Sequence, residues 1–223
     1  MRKVISLVLA SSLFVGACTF TLSYDEGSGN LEKETRSIGA IERVSFNGIG
    51  NLVITQGSET SLEVEAEDNI LPRIVTDANG DQLEIGFDTD RWENIIRPTK
   101  PITFYLQVEN LNELSLSGLG NVTLKGIEAD RLTIRLSGAG SIEASGAITR
   151  QDINVSGAGS FDGGDLMSEQ VNVNLSGAGN AVVWATETLD VSISGLGNVR
   201  YYGDPVVHKS ITGFGNIQAL GEH

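Results

Sequence analysis

The chain has 223 residues, 40% of them hydrophobic, with 27 glycines and 4 prolines, enough for one or two globular domains; the glycines belong largely to a repeat and do not signal disorder. Lys and Arg number 15 against 29 Asp and Glu, a net charge of −14 at pH 7, so repulsion from phosphate excludes nucleic acid as an expected partner. A single cysteine excludes an intrachain disulfide.

Residues 1–17 read as a signal peptide. Arg2 and Lys3 form a positive start, and Val4 to Val15 is an apolar run too short to cross a membrane as a helix. It ends in Val15-Gly16-Ala17-Cys18, which resembles a bacterial lipoprotein signal, with Cys18 as the acylated residue. The alternative is ordinary cleavage after Ala17. Thr19 after the cysteine, by resemblance to lipoprotein sorting in Gram-negative bacteria, favours the outer membrane. Without Arg2 and Lys3 the mature chain has 13 basic and 29 acidic residues, a charge of −16. Anionic headgroups repel such a chain, which leaves the acyl chains as its expected hold on the membrane. Residues 18–36 are polar and aperiodic and read as a lipidated tether, with the folded domain spanning 37–223.

Strands are expected from Ile41 onward. Ile41, Val44 and Phe46 lead into Gly48-Ile49-Gly50-Asn51, and Leu52 and Ile54 follow. Leu62 to Ala66 alternates at period two. Asp68 to Pro72 reads as one helical turn or a loop, because Pro72 bars a longer helix. Asn79-Gly80 between two apolar runs predicts a hairpin. Asp88 to Pro101 reads as a surface excursion carrying Trp92, followed by strands from Ile102 and Leu111.

From Ser117 to Asn216 one phrase recurs: Ser or Thr, Gly, any residue, Gly, then Asn or Ser. Its first glycines are Gly118, Gly138, Gly157, Gly177, Gly195 and Gly213, spaced 20, 19, 20, 18 and 18 residues apart, with an earlier copy at Gly48. Two positions before them stand Phe46, Leu116, Leu136, Val155, Leu175, Ile193 and Ile211. Four positions after stand Leu52, Val122, Ile142, Phe161, Ala181, Val199 and Ile217. Every member of both columns is apolar, and the intervening column three before the glycine is polar throughout. The pattern predicts strand, tight turn, strand, stacked so that each inward column forms a ladder at ~4.8 Å per rung. The glycines are expected to make the turns by adopting positive φ, and the Asn residues to ladder along the stack.

These repeated turns, the stretch LPRIVTDANGDQLEIGF and the lipoprotein-like start resemble the bacterial head GIN domain family, over about residues 38–221. The resemblance implies an all-β, right-handed parallel β-helix of the pectin-lyase-like kind, with 18–20 residues per repeat, no catalytic residues of that class, and a role in adhesion. Right-handedness also follows from the general preference of crossovers. The sequence shows no heptad stalk, so a lipid anchor is expected to replace one.

Cofactor chemistry finds no footing. A dinucleotide loop needs a third glycine and a following helix, whereas Val122-Thr123-Leu124 follows Gly120-Asn121. A calcium β-roll needs Asp where Val122, Ile142 and Phe161 stand. The only histidines are His208 and His223, which leaves no expected zinc site or nucleophile–base pair. Glu143 and Asp162 fall on adjacent rungs of one outward column and could form an acid–base or cation pair. Trp184 and Tyr202 fall on adjacent rungs of another, and with Trp92 they form the candidate binding surface for a glycan or protein partner. The expectation is therefore a lipid-anchored envelope solenoid that binds without catalysis. The alternatives are a polysaccharide-acting enzyme on a β-helix scaffold and a purely structural envelope lipoprotein. The oligomeric state stays open.

Overall fold

The computed structural model describes residues 24–88 and 95–223. Cys18, Trp92, the expected leader at 1–17 and the first part of the expected tether lie outside the described residues. The strands are, in chain order, β1 (Tyr24–Glu26), β2 (Leu31–Arg36), β3 (Arg43–Phe46), β4 (Ile49–Gln56), β5 (Ser61–Glu67), β6 (Ile74–Asn79), β7 (Gln82–Phe87), β8 (Ile95–Arg97) and β9 (Thr103–Val108). They continue with β10 (Glu113–Leu116), β11 (Leu119–Leu136), β12 (Ala139–Val155), β13 (Ser160–Leu175), β14 (Ala178–Ile193), β15 (Leu196–Tyr202), β16 (Val206–Ile211) and β17 (Phe214–Gly221). A 3₁₀ turn at Leu71–Arg73 is the short helical element at Pro72.

Stacked parallel coils form a β-solenoid. From β11 to β14 each strand is nearly a whole coil, interrupted at the Ser-Gly corner and, between β12 and β13, over residues 156–159. The registers reproduce the repeat: Leu119 pairs with Ala139, Ser160 with Asn180, Leu196 with Phe214. The uneven period has a local cause. Bulges fall between Leu124 and Ile127, between Glu143 and Ser145, and between Gly163 and Met167, where one rung holds more residues than its neighbour.

The first two copies of the motif are adjacent rungs, since Ile49 pairs with Leu119 across a 70-residue separation. The residues between them fold back underneath. β7 runs parallel below β3 and β9 parallel below β4. They make a lowest rung that lacks the glycine motif. Antiparallel β6 pairs with β7, with Gly80 (φ 62) and Asp81 as the two-residue loop, one position later than the Asn79-Gly80 pair predicted. Antiparallel β5 pairs with β9, and β2 pairs antiparallel with β5.

That last pairing corrects the expected tether. Residues 31–36 are an edge strand, with Lys33 bonded to Glu63 at 2.6 Å, and residues 24–26 pair parallel with β8. The polar composition that suggested a tether is that of a strand with both faces near water.

The core follows the predicted columns. Phe46, Leu116, Leu136, Val155, Leu175 and Ile193 are buried, as are Leu52, Val122, Ile142, Phe161, Ala181 and Val199. Phe46 and Phe104 meet edge to face at 5.4 Å, joining the lowest rungs. The columns open only at the top, where Ile211 is 41% exposed.

The glycines of the corners correct a second expectation. Apart from Gly50 (φ 121), none of them takes a left-handed φ. They are glycine because the stacked corners touch. A Cβ on Gly197 would stand 1.8 Å from the Gly179 carbonyl oxygen one rung below. Positive φ belongs to other bends, at Gly126 (φ 63), Gly146 (φ 139) and Gly203 (φ 93).

Candidate functional site

The outer faces of the coils present polar columns in register. Asp162, Val182, Arg200 and Gln218 lie side by side on four successive rungs. Beside them Ser160, Asn180, Asn198 and Asn216 form a second column. Together these line an open groove of about 500 Å³. The predicted amide ladder is partly formed: Asn198 Nδ2 donates to Asn180 Oδ1 at 3.1 Å, and lower down Ser141 donates to Asn121 at 2.8 Å. Among the described residues Arg200 has no ion-pair partner. Asp162 lies two rungs away, roughly 10 Å at the spacing of stacked strands, and accepts the Gly164 N–H at 3.0 Å. The groove floor is the Val182 side chain, 8% exposed although its column faces outward. The bulged part of β13 lies close over it: a Cβ added at Gly164 would stand 3.7 Å from Val182 and 3.4 Å from the Tyr202 ring.

Trp184 and Tyr202 are register partners on adjacent rungs, as their spacing implied. Their surface is not an open platform. His223 stacks on Trp184 at 4.3 Å with a 9° interplanar angle, and meets Tyr202 edge-on at 4.9 Å. Its Nε2 lies 3.4 Å from Asp165. Glu143 and Asp162 are register partners too, and with Thr123, Lys125, Ser145 and Asp165 they line a second groove of about 490 Å³. His208 Nδ1 lies 3.0 Å from Asp190 Oδ1 on the rung below, and among the described residues no hydroxyl bonds to the ring. No set of three His, Cys, Asp or Glu converges as metal ligands among the described residues.

Two features escaped the sequence. The first is a ridge. The residue between the two corner glycines is apolar in every copy and exposed from the second copy on, with Leu119 63% exposed, Leu196 57%, Phe214 81% and alanines between, while Ile49 in the first copy is half-buried against the core. Reading the corner for its glycines alone left this column unseen. The second is Glu67, a fully buried carboxylate. It accepts from Gly29 N–H at 2.7 Å, Thr99 N–H at 2.9 Å, the Thr99 hydroxyl at 2.5 Å and Lys100 N–H at 3.3 Å. Burial pushes its pKa up, but these bonds outweigh burial and hold the carboxyl below its ordinary value. Glu67 thereby ties the segment before β2 and the end of the excursion to β5.

The family model for "putative auto-transporter adhesin, head GIN domain" matches residues 41–205. No curated protein matches the chain. Among solved structures it is similar to a putative adhesin from Bacteroides fragilis NCTC 9343, with 22% identity and a TM-score of 0.72 over 88% of this chain and 100% of that one. It is also similar to a putative adhesin from Parabacteroides merdae ATCC 43184, with 18% identity and a TM-score of 0.61 over 89% and 99% of the two chains. A third, a putative lipid binding protein from Parabacteroides distasonis ATCC 8503, has 23% identity and a TM-score of 0.57 over 89% and 100% of the two chains. At these identities the likeness is one of fold.

Proposed function

The chain belongs to the head GIN domain family, and from that premise we propose that it is a non-enzymatic adhesive module of the cell envelope, held to the outer membrane by acylated Cys18 and contacting saccharide through the groove that contains Arg200. The observation that carries the binding surface is the pairing of an amide column with an arginine that has no ion-pair partner among the described residues, over an apolar floor. Amides, a carboxylate and a guanidinium can hydrogen-bond sugar hydroxyls in several directions, while Val182 offers an apolar patch to the ring face. The aromatic pair is a poorer site, since His223 already covers Trp184.

The groove reading also fits the chemistry of a solenoid. Binding groups repeat once per rung, so weak contacts to a repeating polymer add along the stack. The test is binding of the chain to an array of envelope and matrix glycans. Wild type is expected to bind, and Arg200→Ala with Asn198→Ala to lose most of that signal. Equal binding by the double variant overturns the groove. Anchoring is tested by fractionating cells that carry Cys18→Ala, which is expected to move from membrane to soluble fraction. Protease added to intact cells is expected to cleave the wild-type chain; full protection overturns a surface adhesin.

A further inference from the structure

The two ends of the solenoid are finished differently. At the lower end antiparallel β6 closes β7, and antiparallel β5 and β2 close β9. The free strand β2 carries Glu32, Lys33, Glu34 and Arg36, and charges of this kind blunt an exposed edge. At the upper end β16 and β17 have no pairing on their outer side among the described residues. β17 has neither a charged residue nor a proline. Residues 205–221 hold no Asp or Glu, in a chain that has 29. Apolar side chains stand uncovered there: Val206 is 62% exposed, Ile211 41% and Phe214 81%, while Ile193 in the column below Ile211 is at 0%.

The backbone is equally open. Phe214 donates its N–H to the Gly195 carbonyl at 2.9 Å, towards β15. Alternation along a parallel ladder then turns the N–H and C=O of Gly215, Ile217 and Ala219 to the outer side.

We infer that this end is a self-association surface, on which a second copy of the chain seats its own β17 antiparallel to the first about a twofold axis. The occupant follows from charge and symmetry. Two chains of net charge −14 repel, and at this end the edge strands β16 and β17 bring no carboxylate of their own to the contact, the nearest in sequence being Asp204 and Glu222 beside them. A twofold pairing satisfies both open edges and then stops. Head-to-tail stacking is disfavoured, because the lower end is already closed by antiparallel strands.

The experiment is sedimentation velocity on the full chain bearing Cys18→Ala, so that no acyl group contributes, from about 1 to 100 μM, a range that covers ordinary protein association. A reversible dimer is expected. Phe214→Glu with Gln218→Glu places four carboxylates across the interface at exposed positions, and is expected to weaken the dimer by about tenfold or more with an unchanged circular dichroism spectrum. Leu119→Glu, also at an exposed corner but remote from this end, should leave the dimer intact. Hydrogen exchange at Ile217 and Ala219 should slow in the dimer and quicken in the double variant. A wild type that is monomeric throughout overturns the inference, as does a dimer indifferent to the double variant or one lost through Leu119→Glu.

Discussion

Gly140 sits directly over Gly120: a Cβ on the upper residue would stand 1.8 Å from the carbonyl oxygen of the lower. Neither residue has a left-handed φ, so the requirement is one of space. Gly140→Ala is therefore expected to cost at least about 3 kcal/mol, since two rigid backbones must part. Gly29→Ala is the contrast, with φ 85 and nothing within 4 Å, and should cost about 1–2 kcal/mol from backbone strain alone. Chemical denaturation of the two variants checks the ranking; a smaller loss at Gly140 would refute the packing argument.

Glu67 should make stability depend on acid. Its folded pKa lies below its ordinary value of 4.5, so its contribution is complete above that value and disappears as pH falls through the lower folded pKa. Glu67→Gln removes this dependence and turns an amide N–H₂ towards backbone donors. A loss of about 2–4 kcal/mol at neutral pH is expected, from charge-assisted bonds that go unmade. Urea unfolding at pH 7 and at pH 3 measures both effects. A wild type and variant that lose stability in parallel on acidification would show that Glu67 is not the acid-sensitive group.

Gln151 is fully buried in an otherwise apolar column, between Leu132 below and Val171 above. Its Oε1 accepts from Ser168 at 3.2 Å, but its Nε2 has no partner. Gln151→Leu should therefore stabilise the chain by about 1–2 kcal/mol, because an unpaired buried donor is removed and Ser168 keeps its bond to the Leu166 carbonyl. Thermal unfolding gives the sign directly, and a lower melting temperature would count against it.

His223 shields Trp184. In a Trp92→Phe background, which leaves one tryptophan, His223→Ala should shift the Trp184 emission to the red and raise its quenching by acrylamide. Stability should change by less than about 0.5 kcal/mol, as for most surface substitutions. Unaltered quenching would mean that the stacked contact does not persist in solution.

What the sequence revealed and what it hid divide along physical lines. The columns containing Phe46 and Leu52 were legible because stacking forces every rung to obey one alternation, so the signal repeats. The pairing of Glu143 with Asp162, and of Trp184 with Tyr202, followed from the same register. The lowest rung at β7 and β9 was not legible, because it has no glycine corner and lies beneath strands that precede it in the chain. The cover over Trp184 was hidden for another reason: it depends on the path of the residues after Gly221, which no periodicity governs. The mistaken reason for the corner glycines is instructive as well. Composition says that a Cβ is missing, but only the stacked backbones say what it would strike.

The inverted placement of that lowest rung bears on the order of events during folding. β3 lies between β7 and β10, and β4 between β9 and β11. The first coil to emerge from a ribosome therefore has no neighbour until two later segments arrive, one for each side. The thermodynamic penalty for waiting is small: closing about 70 residues instead of 20 adds only about 1 kcal/mol of loop entropy. The temporal consequence is larger. Assembly has to begin away from the amino terminus, and a chain emerging in order must hold residues 43–56 in abeyance until residues 82–136 have been delivered.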